Sequence, residues 1–191
     1  MHSIVGLSRL DTGVVTIDGM PASQPEAKRQ MAFMPDDLPR PRHLTAREVL
    51  KLTCRMYGVA FDSAVADELA QSLDLGGRLD QTLAGYSHGM ARKVDLIAAL
   101  LVSPSVLLLD EPFSGMDPVV VEVICELLEM GKTTGRTTLL STHDLELAAK
   151  VADRVVMLSA GRVIFDDSLD VLVSGDGPHD IREAFKTLAR G

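Results

Sequence analysis

The stretch Val106-Leu-Leu-Leu-Asp-Glu-Pro112 sets two adjacent carboxylates at the end of an apolar run. Such a run reads as a parallel strand buried on both faces. In open α/β sheets, ligands bind beyond the carboxyl ends of the strands. Consecutive strand side chains point to opposite faces, so Asp110 and Glu111 can hold separate roles. Asp110 suits a Mg²⁺ ion held through water, and Glu111 suits a general base for an attacking water. The pair also fits an acidic turn after a core strand. Upstream, Gly85-Tyr-Ser-His-Gly-Met90 is a polar glycine loop opening a helix. Its amides and the Ser87 hydroxyl form an anion-binding end, although taken alone the loop is a helix N-cap. Downstream, Ser114-Gly-Met-Asp-Pro118 turns directly after the carboxylates. Leu139-Leu-Ser-Thr-His-Asp144 then sets His143 at the end of the next strand. A histidine there is usually structural; beside a triphosphate it could sense or polarise the terminal phosphate.

The elements that position these residues follow from pattern. Gly13–Asp18 is strand-like and stops at Gly19, Pro21–Gln30 is polar and partly helical, and Met31–Met34 is a short apolar strand stopped by Pro35. Asp36–His43 reads as a proline-rich loop. Thr45-Ala-Arg-Glu48 is a capping box, opening a helix to Tyr57 with Val49, Leu50, Leu52 and Met56 on one face. A second helix starts at Asp62 or Ser63, runs on Val65, Leu69 and Leu73, and ends at Gly76-Gly77. Ser87 caps a helix to about Val102. Pro118 opens another that closes at Gly131. Thr137–Ser141 is a β-branched strand, Leu145–Val151 a short helix, and Arg154–Leu158 with Arg162–Phe165 a hairpin around Ala160-Gly161. A terminal helix spans Asp180–Ala189. Strand and helix in alternation predict a parallel α/β sheet.

These pieces, in this order, resemble the ATP-binding subunit of ABC transporters over nearly the whole chain. Tyr86–Met90 resembles the family's signature motif, with Ser87 and Gly89 in the matching places and Met90 where glutamine is usual. Val106–Glu111 resembles the Walker B strand with its catalytic glutamate, Ser114–Asp117 the D-loop, and His143 the switch histidine. Pro35-Asp36 falls at the Q-loop, with Asp36 in place of glutamine, followed by an LTxxE pattern at Leu44–Glu48. Gly13–Gly19 is similar to the family's early antiparallel strand. The resemblance implies an α/β, P-loop NTPase-like fold: a parallel sheet core, a helical subdomain and an N-terminal antiparallel β element. It implies ATP and Mg²⁺ as ligands, with Glu111 and His143 catalytic. Ser87, Gly89, Met90 and Asp117 would face the nucleotide, and Asp110 and Asp36 the metal. The implied partners are a second ATP-binding subunit and membrane-spanning subunits, at the inner face of the cell membrane. The acidic Q-loop and the Tyr-Ser-x-Gly-Met form resemble the drug, antibiotic and lipid-linked export branch more than the importers. The chain reads as one such domain: residues 1–37 from the N-terminal core, 38–85 the Q-loop and helical subdomain, 86–167 the signature-to-switch core, and 168–191 C-terminal helices.

One family element has no counterpart. A Walker A loop, GxxxxGK[S/T], supplies amides and a lysine for the phosphates, and none occurs in these residues. Gly131-Lys-Thr-Thr134 comes nearest, but Glu126 stands where the first glycine belongs, and the segment reads as a helix end. Ile4-Val-Gly-Leu7 resembles the end of the helix that Walker A opens, so the first strand and the loop are expected upstream of Met1. Either the true start lies upstream, or the product is truncated and at most completes a partner's site through Ser87 and Gly89.

Composition bounds the rest. The 191 residues fit one domain, with 46% hydrophobic and 24% charged residues. A formal net charge of −8 and the absence of tryptophan argue against a nucleic-acid partner. The longest apolar run, Leu96–Val102, is far short of the ~20 residues that span a bilayer. Cys54 and Cys125 belong to no metal or redox motif and read as reduced core thiols.

Overall fold

Residues 1–37, residues 39–173 and Phe185 are described by the computed structural model. The chain divides into two compact units, Met1–Ser141 and Thr142–Gly191. The first unit opens with a short helix, α1 (His2–Val5), ended by Gly6 in the left-handed conformation. Strands β1 (Thr16–Ile17) and β2 (Met20–Pro21) pair antiparallel. This is shorter than the strand expected over Gly13–Asp18. Asp18 (φ 48°) and Gly19 (φ 77°) make a two-residue hairpin turn, of the kind an Asp-Gly pair favours. Helix α2 (Pro25–Gln30), with proline in its first turn, leads into strand β3 (Met31–Met34).

The capping box forms as expected. Thr45 N donates to Glu48 Oε2 at 2.8 Å and Glu48 N to Thr45 Oγ1 at 3.2 Å, opening α3 (Ala46–Tyr57), which ends at Gly58. Its buried stripe is Ala46, Leu50 and Cys54, whereas Leu52 and Met56 face outward. Helix α4 (Ser63–Ser72) is capped by Asp62 and stops before Gly76-Gly77, because Asp74 takes φ 58°. Ala66 and Ala70 supply its buried side, and Val65 is exposed. The helical segment closes on itself through a bridge between Thr45 and Thr82. A 3₁₀ turn, Leu83–Gly85, then leads to α5 (His88–Leu101), against which α3 and α4 pack.

Strand β4 (Val106–Asp110) lies between β3 and β5 (Thr137–Ser141), parallel to both, with Leu108 opposite Phe33 and Leu139. Leu107, Leu108 and Leu109 are all buried. Helix α6 (Pro118–Thr133) links β4 to β5. It extends past Gly131, and the left-handed glycine is Gly135 (φ 82°). Gly131 is buried in the helix, where a Cβ would stand 3.3 Å from the Arg136 guanidinium, a tight contact with a flexible side chain.

In the second unit, α7 (Leu145–Val151) precedes the antiparallel hairpin β6 (Arg154–Ser159) and β7 (Arg162–Ser168), turning at Ala160-Gly161 as expected. Helix α8 (Leu169–Val173) follows. Met157 and Leu172 form the buried centre of this unit, with Leu145, Val155 and Phe165 around them. Apart from Phe185, the helix expected over Asp180–Ala189 lies outside the described residues. No described helix is long and apolar enough to cross a membrane. Cys54 and Cys125 are both buried, and no disulfide joins them.

Candidate functional site

The carboxylate pair stands where the strand ends. Asp110 is the last residue of β4, and its Oδ1 accepts a hydrogen bond from Ser141 Oγ at the end of β5. Glu111 follows in the left-handed region at φ 49°. A bulky residue holds such a conformation only where its surroundings enforce it, and such residues cluster at functional sites. Here the Glu111 amide donates to Ser141 O at 3.1 Å, and the Glu111 carbonyl accepts from Ser114 N at 3.1 Å. The backbone therefore breaks direction between the carboxylates, so that they leave the strand differently.

The glycine loop and the turn after the carboxylates meet. Ser87 Oγ caps α5 by accepting from Met90 N at 3.2 Å, so the amide end of the helix is exposed beside a hydroxyl. A Cβ on Gly89 would stand 2.9 Å from the Gly115 carbonyl oxygen. That close approach requires glycine. Asp117 caps α6 through Val120 N at 3.1 Å, and its carboxylate lies 3.8 Å from the buried Lys93 ammonium of α5. Ser87, Gly89, Met90, Asp110, Glu111 and Asp117 all belong to the first unit.

Asp36 has a partner that sequence reasoning missed. Its Oδ1 lies 3.1 Å from Nη1 of Arg92, and its carbonyl accepts from the same nitrogen. Arg92 Nη2 donates to the Glu111 carbonyl at 2.6 Å and to the Asp110 carbonyl at 3.3 Å. One guanidinium thus joins the Pro35-Asp36 loop to the end of β4. A second ion pair runs the other way: Arg40 Nε donates to Asp95 Oδ2 of α5 at 2.9 Å. Burial pushes the Asp95 carboxyl above the usual aspartate range, and Arg40 opposes that shift. In sequence, Ala-Arg-Lys after a helix cap reads as a solvated face. Only the crowding of apolar residues at Val94, Leu96 and Ile97 signals that this helix is buried on more than one side.

His143 lies in the second unit, where it is exposed just before α7. Asp144 caps that helix, accepting from Glu146 N and Leu147 N at 3.0 and 3.2 Å. Gly131-Lys-Thr-Thr134 occupies the end of α6, where Lys132 pairs with Glu129 at 2.7 Å. Among the described residues no group of three metal-binding side chains gathers. Mg²⁺ does not require one, since it is commonly held by one or two carboxylates with water and phosphate oxygens. Asp110, a hard oxygen donor oriented by Ser141, fits that use.

A parallel sheet with carboxylates at its strand end and a glycine-capped helix N-terminus alongside is a nucleotide-binding α/β arrangement. The family model described as "AAA domain, putative AbiEii toxin, Type IV TA system" matches residues 23–149. A solved structure described as "Structure of ATP binding subunit of ABC transporter" matches with a TM-score of 0.87 at 32% identity, over 98% of this chain and 80% of that one. The daunorubicin resistance ATP-binding protein DrrA2 of Streptomyces coeruleorubidus is 36% identical over 89% of this chain and 55% of its own length. The Nod factor export ATP-binding protein I of Rhizobium meliloti is 30% identical over 98% of this chain and 60% of its own. The ABC transporter ATP-binding protein NatA of Bacillus subtilis (strain 168) is 28% identical over the whole chain and 80% of its own length. The chain belongs to the family of ABC transporter ATP-binding subunits, and it spans little more than half of the first two of these relatives.

Proposed function

We propose that this chain is an ATP-binding and ATP-hydrolysing subunit of an ABC transporter, coupling hydrolysis to export across a membrane. The observation that supports it most is the turn at Asp110-Glu111. Asp110 ends the buried strand, Glu111 follows it in the left-handed region, and the turn after them meets the signature-like loop where Gly115 lies against Gly89. Glu111 would take a proton from the attacking water, and Asp110 would hold Mg²⁺ through water. Bound Mg²⁺ supplies charge neutralisation for the phosphates. The Ser87 hydroxyl and the open amides of α5 would receive phosphate oxygens. Asp36, with one oxygen engaged by Arg92, would contribute to the metal through the other. Met90 and Asp117 would shape the nucleotide-facing side, and His143 would sense the terminal phosphate.

Export as the direction is supported by the names of the relatives, which include resistance and Nod factor export proteins. Partnership with a second ATP-binding subunit and with membrane-spanning subunits, at the cytoplasmic face, follows from the same family. The GxxxxGK[S/T] loop is not among these 191 residues. The alternative reading is that the chain offers only its Ser87–Gly89 side to a partner's ATP. Glu111→Gln separates the two. In an assembled transporter, removal of a general base slows turnover by ~10²–10⁴-fold while ATP still binds. Unchanged turnover would assign the chemistry to the partner's carboxylate.

A further inference from the structure

Arg92 is 0% exposed, and its Nε has no hydrogen-bond partner. Buried polar atoms are nearly always satisfied, so an arginine kept in this position needs a reason. Its planar guanidinium has donors spread over a rigid fork. One end of the fork reaches the Asp36 carbonyl and carboxylate. The other reaches the carbonyls of Asp110 and Glu111. We propose that Arg92 is a positioning residue, the link through which the Pro35-Asp36-Asp37 loop sets the turn that carries Glu111.

The two ends differ in exposure. The Asp36 side chain is 58% exposed, so this end is accessible to whatever touches the loop, while the Arg92 end is sealed. The loop is fastened to α5 by two crossed ion pairs, Asp36 with Arg92 and Arg40 with Asp95, which fixes its register on the helix. At the far end, the Glu111 carbonyl accepts from both Arg92 and Ser114 N. A shift of the guanidinium must therefore change the hydrogen bond that holds the turn after Glu111. A lysine would not serve, since a single ammonium on a flexible stem cannot bridge both ends at once. The consequence for catalysis rests on Glu111 acting as the proposed base; the mechanical link does not.

Amide hydrogen exchange on the 191-residue chain tests the link without ATP. Asp36→Ala alters an exposed side chain and leaves the core intact. It should speed exchange at the Ser114 amide by ~3-fold or more, at the lower end of the coupling seen within one contact network. In an Arg92→Lys background, Asp36→Ala should add nothing at Ser114. Equal effects of Asp36→Ala in both backgrounds would overturn the proposal. So would a Ser114 amide that Asp36→Ala leaves unmoved, a result that needs no Arg92 variant to fold. In an assembled transporter, Arg92→Lys should lower kcat with the KM for ATP unchanged, and an unchanged kcat counts against the link. An inactive wild-type assembly would instead overturn the proposed function, and the exchange result would stand.

Discussion

Gly89 and Gly85 lie four positions apart in the same polar loop, yet they are glycine for different reasons. A Cβ at Gly89 would stand 2.9 Å from a backbone oxygen, whereas nothing lies within 4 Å of one at Gly85. Gly89→Ala should therefore cost about 1–3 kcal/mol, the usual range for overpacking. Gly85→Ala should stay within about 0.5 kcal/mol of wild type, as surface substitutions do. Urea denaturation of both variants measures this, and equal midpoints would mean that the Gly115 turn moves aside freely. The sequence made Gly89 legible as a motif position without showing what it touches. Asp110, Glu111, Ser87 and Asp117 were legible for a local reason: strand ends and helix caps are written in adjacent residues. Arg92 was not, because its partners Asp36 and Glu111 stand 56 and 19 positions away. Pairing at that separation is decided by sheet order, which no local pattern encodes.

Between elements, the least legible features were the faces. Leu50 and Leu52 are equally apolar, but burial selects Ala46, Leu50 and Cys54 at intervals of four, and Leu52 and Met56 stay exposed. Helix starts were more readable than helix ends. A cap names its own position, whereas α4 ends near Asp74, before Gly76-Gly77, and α6 ends near Gly135 and not at Gly131. Thr45→Ala should cost about 1 kcal/mol by removing the cap of α3, measured by urea denaturation. A second contribution joins α3 to α4: Arg47 donates to Asp80 at 2.7 Å and to Asp67 at 2.8 Å. Those hydrogen bonds hold both carboxyls below their ordinary value of 3.8, and they push Arg47 upward. The folded chain thus keeps both carboxylates charged at pH values where the unfolded chain protonates them. Their stabilisation is complete above pH 3.8 and is lost as the pH falls below it, through the lowered folded-state values. Amide exchange in α3 and α4 should quicken over that descent, and Arg47→Met should flatten the dependence. A dependence unchanged in Arg47→Met would assign it to other carboxylates.

At the scale of the whole molecule, the charge is −8, and the candidate site gathers four acidic groups: Asp36 and Asp117 exposed, Asp110 and Glu111 half-buried. Two unit charges 4 Å apart interact by about 4 kcal/mol at an effective dielectric of 20. A triphosphate meeting these carboxylates is therefore repelled unless cations and amides outweigh them. Among the described residues, the two basic residues of α5 that pair with these carboxylates are already engaged. Arg92 is buried against Asp36 and backbone carbonyls, and Lys93 is buried beside Asp117. Mg²⁺ offsets part of the repulsion, and the Ser87 end of α5 offers amides, but these 191 residues contain no GxxxxGK[S/T] sequence. The expected outcome for the isolated 191-residue chain is ATP binding weaker than about 1 mM, worth less than about 4 kcal/mol. The affinity should rise with Mg²⁺ and be accompanied by no hydrolysis. Isothermal calorimetry with and without Mg²⁺ measures it. Saturable micromolar binding would show that the amide end of α5 and the Asp110 site hold a nucleotide without a Walker A lysine. The net repulsion expected from these carboxylates would then have the wrong sign at the site itself.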